Sequence, residues 1–145
     1  EETTKKAAEY IQGQLEENLK GLKITITPVP ANVQIERVMK HDFTISLSGW
    51  QADYPDPMSF LGNFESNSVL NFGGYSNTKY DEYLKDTSDK RWKSLKKAEE
   101  LLLEDAGVVP FLQVGNSKLL KSTMKNIETH SIGAKYDYKK MKRLE

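Results

Sequence analysis

The sequence predicts an α/β fold, and three features of its hydrophobic patterning indicate that class. In the first 50 residues, two amphipathic helical segments alternate with two segments in which apolar and polar side chains alternate. A longer helical segment near residue 100 precedes a short apolar run typical of a buried strand. We therefore expect a mixed sheet flanked by helices, with the first two strands parallel and joined by a crossover helix.

The first helix is predicted over residues 4–20, because its apolar side chains recur at helical spacing and Gly21 stands where a helix C-terminal glycine belongs. These apolar positions are Ala7, Ala8, Ile11, Leu15 and Leu19. Residues 22–27 then alternate apolar and polar side chains as far as Pro28. This alternation predicts a half-buried strand that ends at the proline.

A second helix and strand are predicted next. Asn32 is expected to cap a short helix that ends near His41, and residues 43–47 alternate as a strand. Residues 51–76 lack regular patterning but are rich in proline, glycine and aromatic side chains. Because long irregular segments inside compact domains usually carry function, this segment is a candidate site.

Two further helices are predicted over residues 78–86 and 89–106, with Asn77 and Ser88 as their N-caps. The second of these is expected to face the core with Trp92, Leu95, Leu102 and Ala106, and to end at Gly107. Its charged side chains, Arg91 among them, are expected to form a solvated surface. Residues 108–114 suit a buried strand, whereas the basic segment after it has only Met124, Ile127 and Ile132 as apolar anchors.

Composition excludes several classes of function. The 145 residues include 21 Lys and Arg against 21 Asp and Glu, so the chain lacks the basic excess of nucleic-acid-binding proteins. The absence of Cys excludes disulfides, thiolate zinc sites and cysteine nucleophiles. No apolar stretch approaches the roughly 20 residues of a membrane-spanning helix. Because the sequence begins without Met, we expect that an upstream segment was removed, either by processing or because the chain is a piece of a longer protein.

The densest group of chemically useful residues is the loop Gly49–Pro57, which follows the second predicted strand. Ligands of open α/β sheets bind beyond the carboxyl ends of the strands. Tyr54 and Asp56 each precede a proline, which stiffens the loop and fixes Asp53. A rigid carboxylate with aromatic neighbours suits a cationic ligand group. In the alternative interpretation, both aspartates only form turns and Trp50 belongs to the core.

Catalytic and metal sites receive little support from the sequence. Asp53 and Asp56 are close enough in the chain for a hydrolytic carboxylate pair, but no nucleophile elbow, metalloprotease motif or phosphate loop accompanies them. His41 and His130 are isolated, and adding Glu65 to the aspartates does not reproduce a calcium-loop spacing. We therefore expect no enzyme activity, no cofactor and no metal.

Several motifs in a fixed order resemble one family over about residues 5–111. They are Asp42-Phe43-Thr44-Ile45, the Gly49–Pro57 loop, Phe60-Leu61, Tyr75-Ser76-Asn77, Tyr80-Asp81, Arg91, Ala98-Glu99, Leu102-Leu103-Glu104-Asp105 and Val109-Pro110-Phe111. The family is that of the oligopeptide-binding proteins of ABC importers, peptide/nickel solute-binding protein family 5. The resemblance implies a two-lobe periplasmic-binding-protein-like fold. Residues 1–116 are then the C-terminal portion of the second lobe (lobe II), and the tail 117–145 is expected to return toward the first lobe.

The resemblance also implies a function and a site. The chain is expected to belong to the substrate-binding component of an ABC transporter that captures extracellular oligopeptides for import. Asp53 then pairs with the peptide α-ammonium, and the backbone around Gly49 and Gln51 bonds the peptide main chain. Trp50 and Tyr54 are expected to be pocket walls, and Asp56 is expected to be a turn residue that fixes the loop.

The same resemblance implies partners and a location. The expected partners are an oligopeptide, the permease subunits and the first lobe of the same chain, in a monomeric protein that binds no nucleic acid. The expected location is extracytoplasmic, either periplasmic or as a cell-surface lipoprotein. Three alternatives stay open: a nickel- or haem-binding family member, a sugar-binding or hydrolytic domain that uses Asp53 and Asp56, and an interaction domain whose 51–76 aromatics contact a partner.

Overall fold

Helices make up most of the regular structure in a computed structural model that describes residues 2–115 and 117–144. They are α1 (Glu2–Asn18), α2 (Ala31–Met39), α3 (Met58–Leu61), a 3-10 helix (Gly62–Phe64), α4 (Thr78–Leu84) and α5 (Arg91–Glu104). Four two-residue strands follow: β1 (Met124–Lys125), β2 (Glu128–Thr129), β3 (Tyr136–Asp137) and β4 (Lys142–Arg143). The chain divides into two units, Glu1–Gly49 and Trp50–Glu145.

In the first unit, helix α1 holds the chain that follows it. The predicted helix end is confirmed within two residues, and Gly21 has the left-handed φ of 82° that favours glycine there. The amide nitrogen of Ile24 then donates to Glu16 Oε1 at 2.7 Å, while Gln12 Nε2 donates to the Ile24 carbonyl at 2.6 Å. Side chains of α1 therefore satisfy both backbone groups of Ile24.

The strands predicted over 22–27, 43–47 and 108–114 form no strand pairing within the described residues. A β-strand needs the backbone groups of a neighbour, and side chains occupy some of those groups here instead. Gln34 Nε2, for example, donates to the Leu47 carbonyl at 2.9 Å. The prediction that Asn32 is the N-cap of α2 is wrong, because the helix begins at Ala31 with Pro30 in the N-cap position, so Asn32 lies inside it.

The core of the second unit lies between α4 and α5. Its buried side chains are Leu61, Tyr80, Leu84, Leu95, Ala98 and Leu102. Tyr80 is fully buried, and its hydroxyl donates to the Leu61 carbonyl at 2.6 Å. Asn77 is the N-cap of α4, as predicted, since its Oδ1 accepts from the amides of Lys79 and Tyr80. The inward positions predicted for Leu95 and Leu102 are also confirmed.

Helix α5 is two residues shorter at each end than predicted. Ser88 is not its N-cap, because the Ser88 hydroxyl accepts from the Lys90 amide in a turn and the helix begins at Arg91. Trp92 is 63% exposed, so the prediction that it faces the core is wrong. The inward position predicted for Ala106 is also wrong, because this residue lies beyond the helix end with a left-handed φ of 52° and is exposed.

The segment after residue 117 contains two antiparallel strand pairs that the sequence did not predict. Met124 pairs with Arg143 in β1–β4, and Glu128 pairs with Asp137 in β2–β3. The predicted apolar anchors Met124, Ile127 and Ile132 are all partly buried. Across residues 2–115 and 117–144, the helices lack the length and apolar character that crossing a membrane requires.

Candidate functional site

Ser59 fixes the start of the loop that the sequence singles out. It is 4% exposed and lies in the first turn of α3. Its hydroxyl accepts from the Asp53 amide at 2.7 Å, and its carbonyl accepts from Trp50 Nε1 at 2.7 Å. One buried serine therefore positions both the predicted ligand-binding aspartate and its aromatic neighbour. Sequence reasoning missed Ser59, because both contacts depend on the turn at residues 54–57.

Asp56 fixes the other end of the loop. Its Oδ1 accepts from the Met58 amide at 2.9 Å and from Arg91 Nη2 at 2.7 Å. The hydrogen bond from Arg91, aided by that from Met58, holds the Asp56 pKa below its usual value of 3.8. The prediction that Asp56 is a loop-fixing turn residue is confirmed, whereas the expectation that Arg91 is merely solvated is wrong.

Asp53 differs from Asp56 in having a free carboxylate. The side chain is exposed, and within residues 2–115 and 117–144 it makes no ion pair or hydrogen bond. Its backbone is nevertheless held by Ser59. The structure thus presents a positioned anion with all its acceptor sites open, which is suited to an ammonium or guanidinium group.

The backbone beside Asp53 is also available. Within the described part of the chain, the amide and carbonyl groups of Gly49 and Gln51 make no hydrogen bond, and both residues are exposed. Free backbone groups in an extended segment can pair with an added strand. Trp50 is 44% exposed and Tyr54 48% exposed, so the alternative that Trp50 belongs to the core is wrong.

Two open cavities meet at Asp53 and Tyr54. The larger, of about 440 Å³, has Asp53, Tyr54 and Pro55 on one side and residues 129–132 on the other. The smaller, of about 280 Å³, extends from the same two residues to Trp50. Its remaining lining residues are Met58, Ser59, Gly62, Asn63, Ser68 and Leu70. Asp53 therefore belongs to the walls of both cavities.

His130 is not isolated, contrary to the sequence-based expectation. One of its ring nitrogens, a carboxylate oxygen of Glu128 and a carboxylate oxygen of Asp137 all lie within 4.8 Å of one another. The β2–β3 register brings them together, because Asp137 stands opposite Glu128 and His130 follows two residues later. All three are exposed, and Glu128 already pairs with Lys140 at 3.0 Å. Sequence reasoning missed this cluster because it depends on the pairing of β2 with β3. Residues 118–145 show no alternation of apolar and polar side chains that would predict those strands.

Known proteins resemble this chain in sequence and in fold. Residues 1–72 match the family described as bacterial extracellular solute-binding proteins, family 5 Middle. The dipeptide-binding protein DppE of Bacillus subtilis (strain 168) is 31% identical over 134 residues, which are 89% of this chain and 24% of DppE. The chain thus spans about a quarter of the length of the curated relatives it matches.

Two solved structures extend the likeness to the fold. The pheromone receptor PrgZ, described with its mode of peptide binding, is 66% identical, and the match covers 97% of this chain and 28% of PrgZ with a TM-score of 0.87. The substrate-binding domain of a Bacillus anthracis oligopeptide ABC transporter is 38% identical, with a TM-score of 0.83 over 97% of this chain and 29% of that structure. These likenesses confirm the predicted fold class: part of one lobe of a two-lobe substrate-binding protein.

Proposed function

Because the chain belongs to the bacterial extracellular solute-binding proteins of family 5, we propose that it forms one wall of the oligopeptide site in the substrate-binding component of an ABC importer. The observation that carries this proposal is the exposed, unpaired carboxylate of Asp53 on an anchored loop. The names of similar proteins, a dipeptide-binding protein and a receptor with a peptide-binding mode, support a peptide ligand.

Asp53 is the residue we assign to the peptide α-ammonium. An ammonium group donates up to three hydrogen bonds, and the carboxylate has no competing donor among the described residues. The hydrogen bond from the Asp53 amide to Ser59 fixes the backbone before the ligand arrives, so binding orders little of the loop. A hydrogen bond to a charged group contributes roughly 1.5–3 kcal/mol.

Gly49 and Gln51 are the residues we assign to the peptide main chain. Their exposed backbone groups pair with an extended peptide in the manner of an added strand. Hydrogen bonds to the main chain of the ligand do not depend on its side chains, so the site tolerates peptides of different sequence. Trp50 and Tyr54 then serve as walls on either side of Asp53, since they line the cavities that contain it.

The domain organisation and partners belong to the same proposal. Residues 1–116 are the C-terminal portion of the second lobe, and the tail 117–145 returns toward a first lobe that closes over the peptide. The protein acts as a monomer outside the cytoplasm, in the periplasm or as a lipoprotein, and delivers its peptide to permease subunits. It binds without catalysis and without a metal or cofactor.

A thermal-shift screen of the protein at its full natural length tests this function. We expect short peptides with a free N-terminus to raise the melting temperature, because ligands that bind the folded state stabilise it. N-terminal acetylation, which removes the ammonium charge, is expected to abolish the shift. A shift produced by oligosaccharides, or an equal shift with acetylated peptides, would contradict the proposal.

A further inference from the structure

The β2–β3 hairpin brings together a ring nitrogen of His130 and carboxylate oxygens of Glu128 and Asp137, all within 4.8 Å of one another. We propose that these three side chains bind a divalent transition-metal ion, with Zn²⁺ as the best-suited one. The site goes beyond the proposed function, which assigns the peptide to Asp53 and needs no metal there. It departs from the sequence-based expectation of no metal, because only strand pairing creates the cluster.

The register of the hairpin puts the three side chains on one face. Glu128 pairs with Asp137 across the strands, and His130 follows Glu128 by two residues. Side chains two residues apart along a strand share a face, and so do directly paired side chains. The backbone is also held, because the His130 amide donates to the Lys135 carbonyl at 3.0 Å and Gly133 turns the chain with a left-handed φ of 76°. The fold therefore sets the three positions before a metal binds.

The spacing of the three atoms suits a small ion. Zn²⁺ holds nitrogen and oxygen ligands at about 2.0–2.2 Å, so two ligand atoms of a tetrahedral site lie about 3.4 Å apart. Because the three atoms lie within 4.8 Å of one another, each pair has at most about 1.4 Å to close. All three residues are exposed, so rotations of their side chains close that distance without moving the strands.

Each of the three side chains has an atom available for a metal. Asp137 Oδ1 accepts from the Lys139 amide at 2.8 Å, which orients the carboxylate in the way that supporting hydrogen bonds orient metal ligands. Glu128 Oε1 accepts from Lys140 Nζ at 3.0 Å. Within residues 2–115 and 117–144, no hydrogen bond or ion pair engages the His130 ring or the other oxygen of either carboxylate. A metal ion therefore competes only with Lys140, for Glu128, among these described contacts.

The chemistry of the three ligands selects the class of ion. Ca²⁺ and Mg²⁺ prefer six or more oxygen ligands, whereas one of the three ligands here is an imidazole nitrogen. An imidazole combined with carboxylates suits Zn²⁺, whose charge the two carboxylates balance. Three protein ligands leave the fourth tetrahedral position to water. The bound ion links β2 to β3 and stabilises a hairpin whose strands are only two residues long.

Zinc titration of the protein at its full natural length tests the inference. Zn²⁺ alone is the probe, and its affinity is measured in competition with a chromophoric chelator. Loss of even a supporting partner of a metal ligand typically costs about 10- to 100-fold in affinity, so His130→Gln and Asp137→Asn should each weaken zinc binding at least about 10-fold. Lys140→Met should strengthen it about 2- to 5-fold, because this change removes an exposed cation that competes for Glu128.

His41→Gln is the matched control, because it removes the other histidine of this sequence, which lies in the first unit. It should leave zinc affinity unchanged. A zinc affinity that His130→Gln leaves intact in a normally folded variant overturns the inference, and so do equal losses in His130→Gln and His41→Gln. Displacement of Zn²⁺ by an equal concentration of Ca²⁺ or Mg²⁺ would overturn the assignment to a transition metal.

Discussion

Asp56 Oδ1 lies 2.7 Å from Arg91 Nη2, and this ion pair joins two residues 35 positions apart. It connects the loop that carries Asp53 to the first residue of α5. Both side chains are only partly exposed, 28% for Asp56 and 27% for Arg91. The two aspartates of the loop thus differ: Asp56 fixes the loop, whereas the Asp53 carboxylate makes no ion pair or hydrogen bond among the described residues, as its proposed role requires.

The first prediction concerns the titration of Asp56. Its folded-state pKa lies below 3.8 chiefly because of the hydrogen bond from Arg91, so Arg91→Met should raise it toward 3.8. Carbon-detected NMR titration of the side-chain carboxyl measures this change. Asp86 is the control: its pKa of about 2 depends mainly on hydrogen bonds from Ser88 and Ser94, and it should not move.

The sign of the accompanying stability effect follows from that shift. A carboxyl whose folded pKa is lowered contributes stability above its unfolded pKa of 3.8 and loses it as pH falls through the folded pKa. The wild type should therefore be more stable than Arg91→Met at neutral pH, and this difference should shrink as pH falls below 3.8. A difference that grows with acidity would contradict the assignment.

The second prediction tests the anchor at Ser59. Ser59→Ala removes the acceptor of the Asp53 amide, so that amide should exchange with solvent faster, and stability should fall by about 1 kcal/mol. Hydrogen exchange and chemical denaturation measure the two effects. Ser48→Ala, at an exposed serine without a side-chain hydrogen bond among the described residues, should change neither. Unchanged exchange at Asp53 would show that Ser59 does not hold the loop.

The third prediction concerns close packing at Gly107. A Cβ atom there would lie 2.7 Å from both Leu102 Cδ1 and Tyr75 Cδ2. Tyr75 has little freedom to move, because its hydroxyl donates to Asp105 and its ring packs edge-on against Tyr80. Gly107→Ala should therefore destabilise the fold by about 1–3 kcal/mol in urea unfolding.

Gly73→Ala is the matched control for that substitution. Its nearest neighbour would be the Gly107 carbonyl at 3.8 Å, an ordinary contact, and its φ lies outside the left-handed region. Stability should change by less than about 0.5 kcal/mol. Equal effects of the two substitutions would mean that packing around Gly107 is looser than the structure shows.

The fourth prediction concerns the buried hydroxyl of Tyr80. Burial is the main cause that raises its pKa, and the hydroxyl donates to the Leu61 carbonyl at 2.6 Å. Tyr80→Phe leaves that carbonyl without its donor and should cost about 1–3 kcal/mol of unfolding free energy. Tyr138→Phe, at a 55% exposed position, should be nearly neutral. A neutral Tyr80→Phe would indicate that water replaces the lost donor.

Local patterns predicted the helices well because the signals for a helix lie within it. Asn77 was recognised as a cap from its residue type just before a helical pattern. The buried positions of Leu95 and Leu102 were recognised from their helical spacing. Strands depend on a neighbour, so alternation at residues 22–27 predicted extended chain but not the side-chain contacts that replace strand pairing at Ile24. In the same way, the β2–β3 pairing had no local signal.

The same distinction between local signals and contacts of distant residues applies to the candidate site. Asp53, Tyr54 and the turn at Asp56 were identifiable because prolines and aromatics mark the loop in the sequence. The partners that define the geometry, Ser59 and Arg91, were missed, since only the folded chain brings them to the loop.

The most direct test of the central claim is a double-mutant cycle on the protein at its full natural length. Calorimetry measures the affinity of one peptide, free or N-acetylated, for the wild type, Asp53→Asn and the control Asp89→Asn. We predict that acetylation weakens binding at least about 10-fold in the wild type and in Asp89→Asn, and has little effect in Asp53→Asn. The same loss on acetylation in all three proteins would contradict an ion pair between Asp53 and the peptide ammonium.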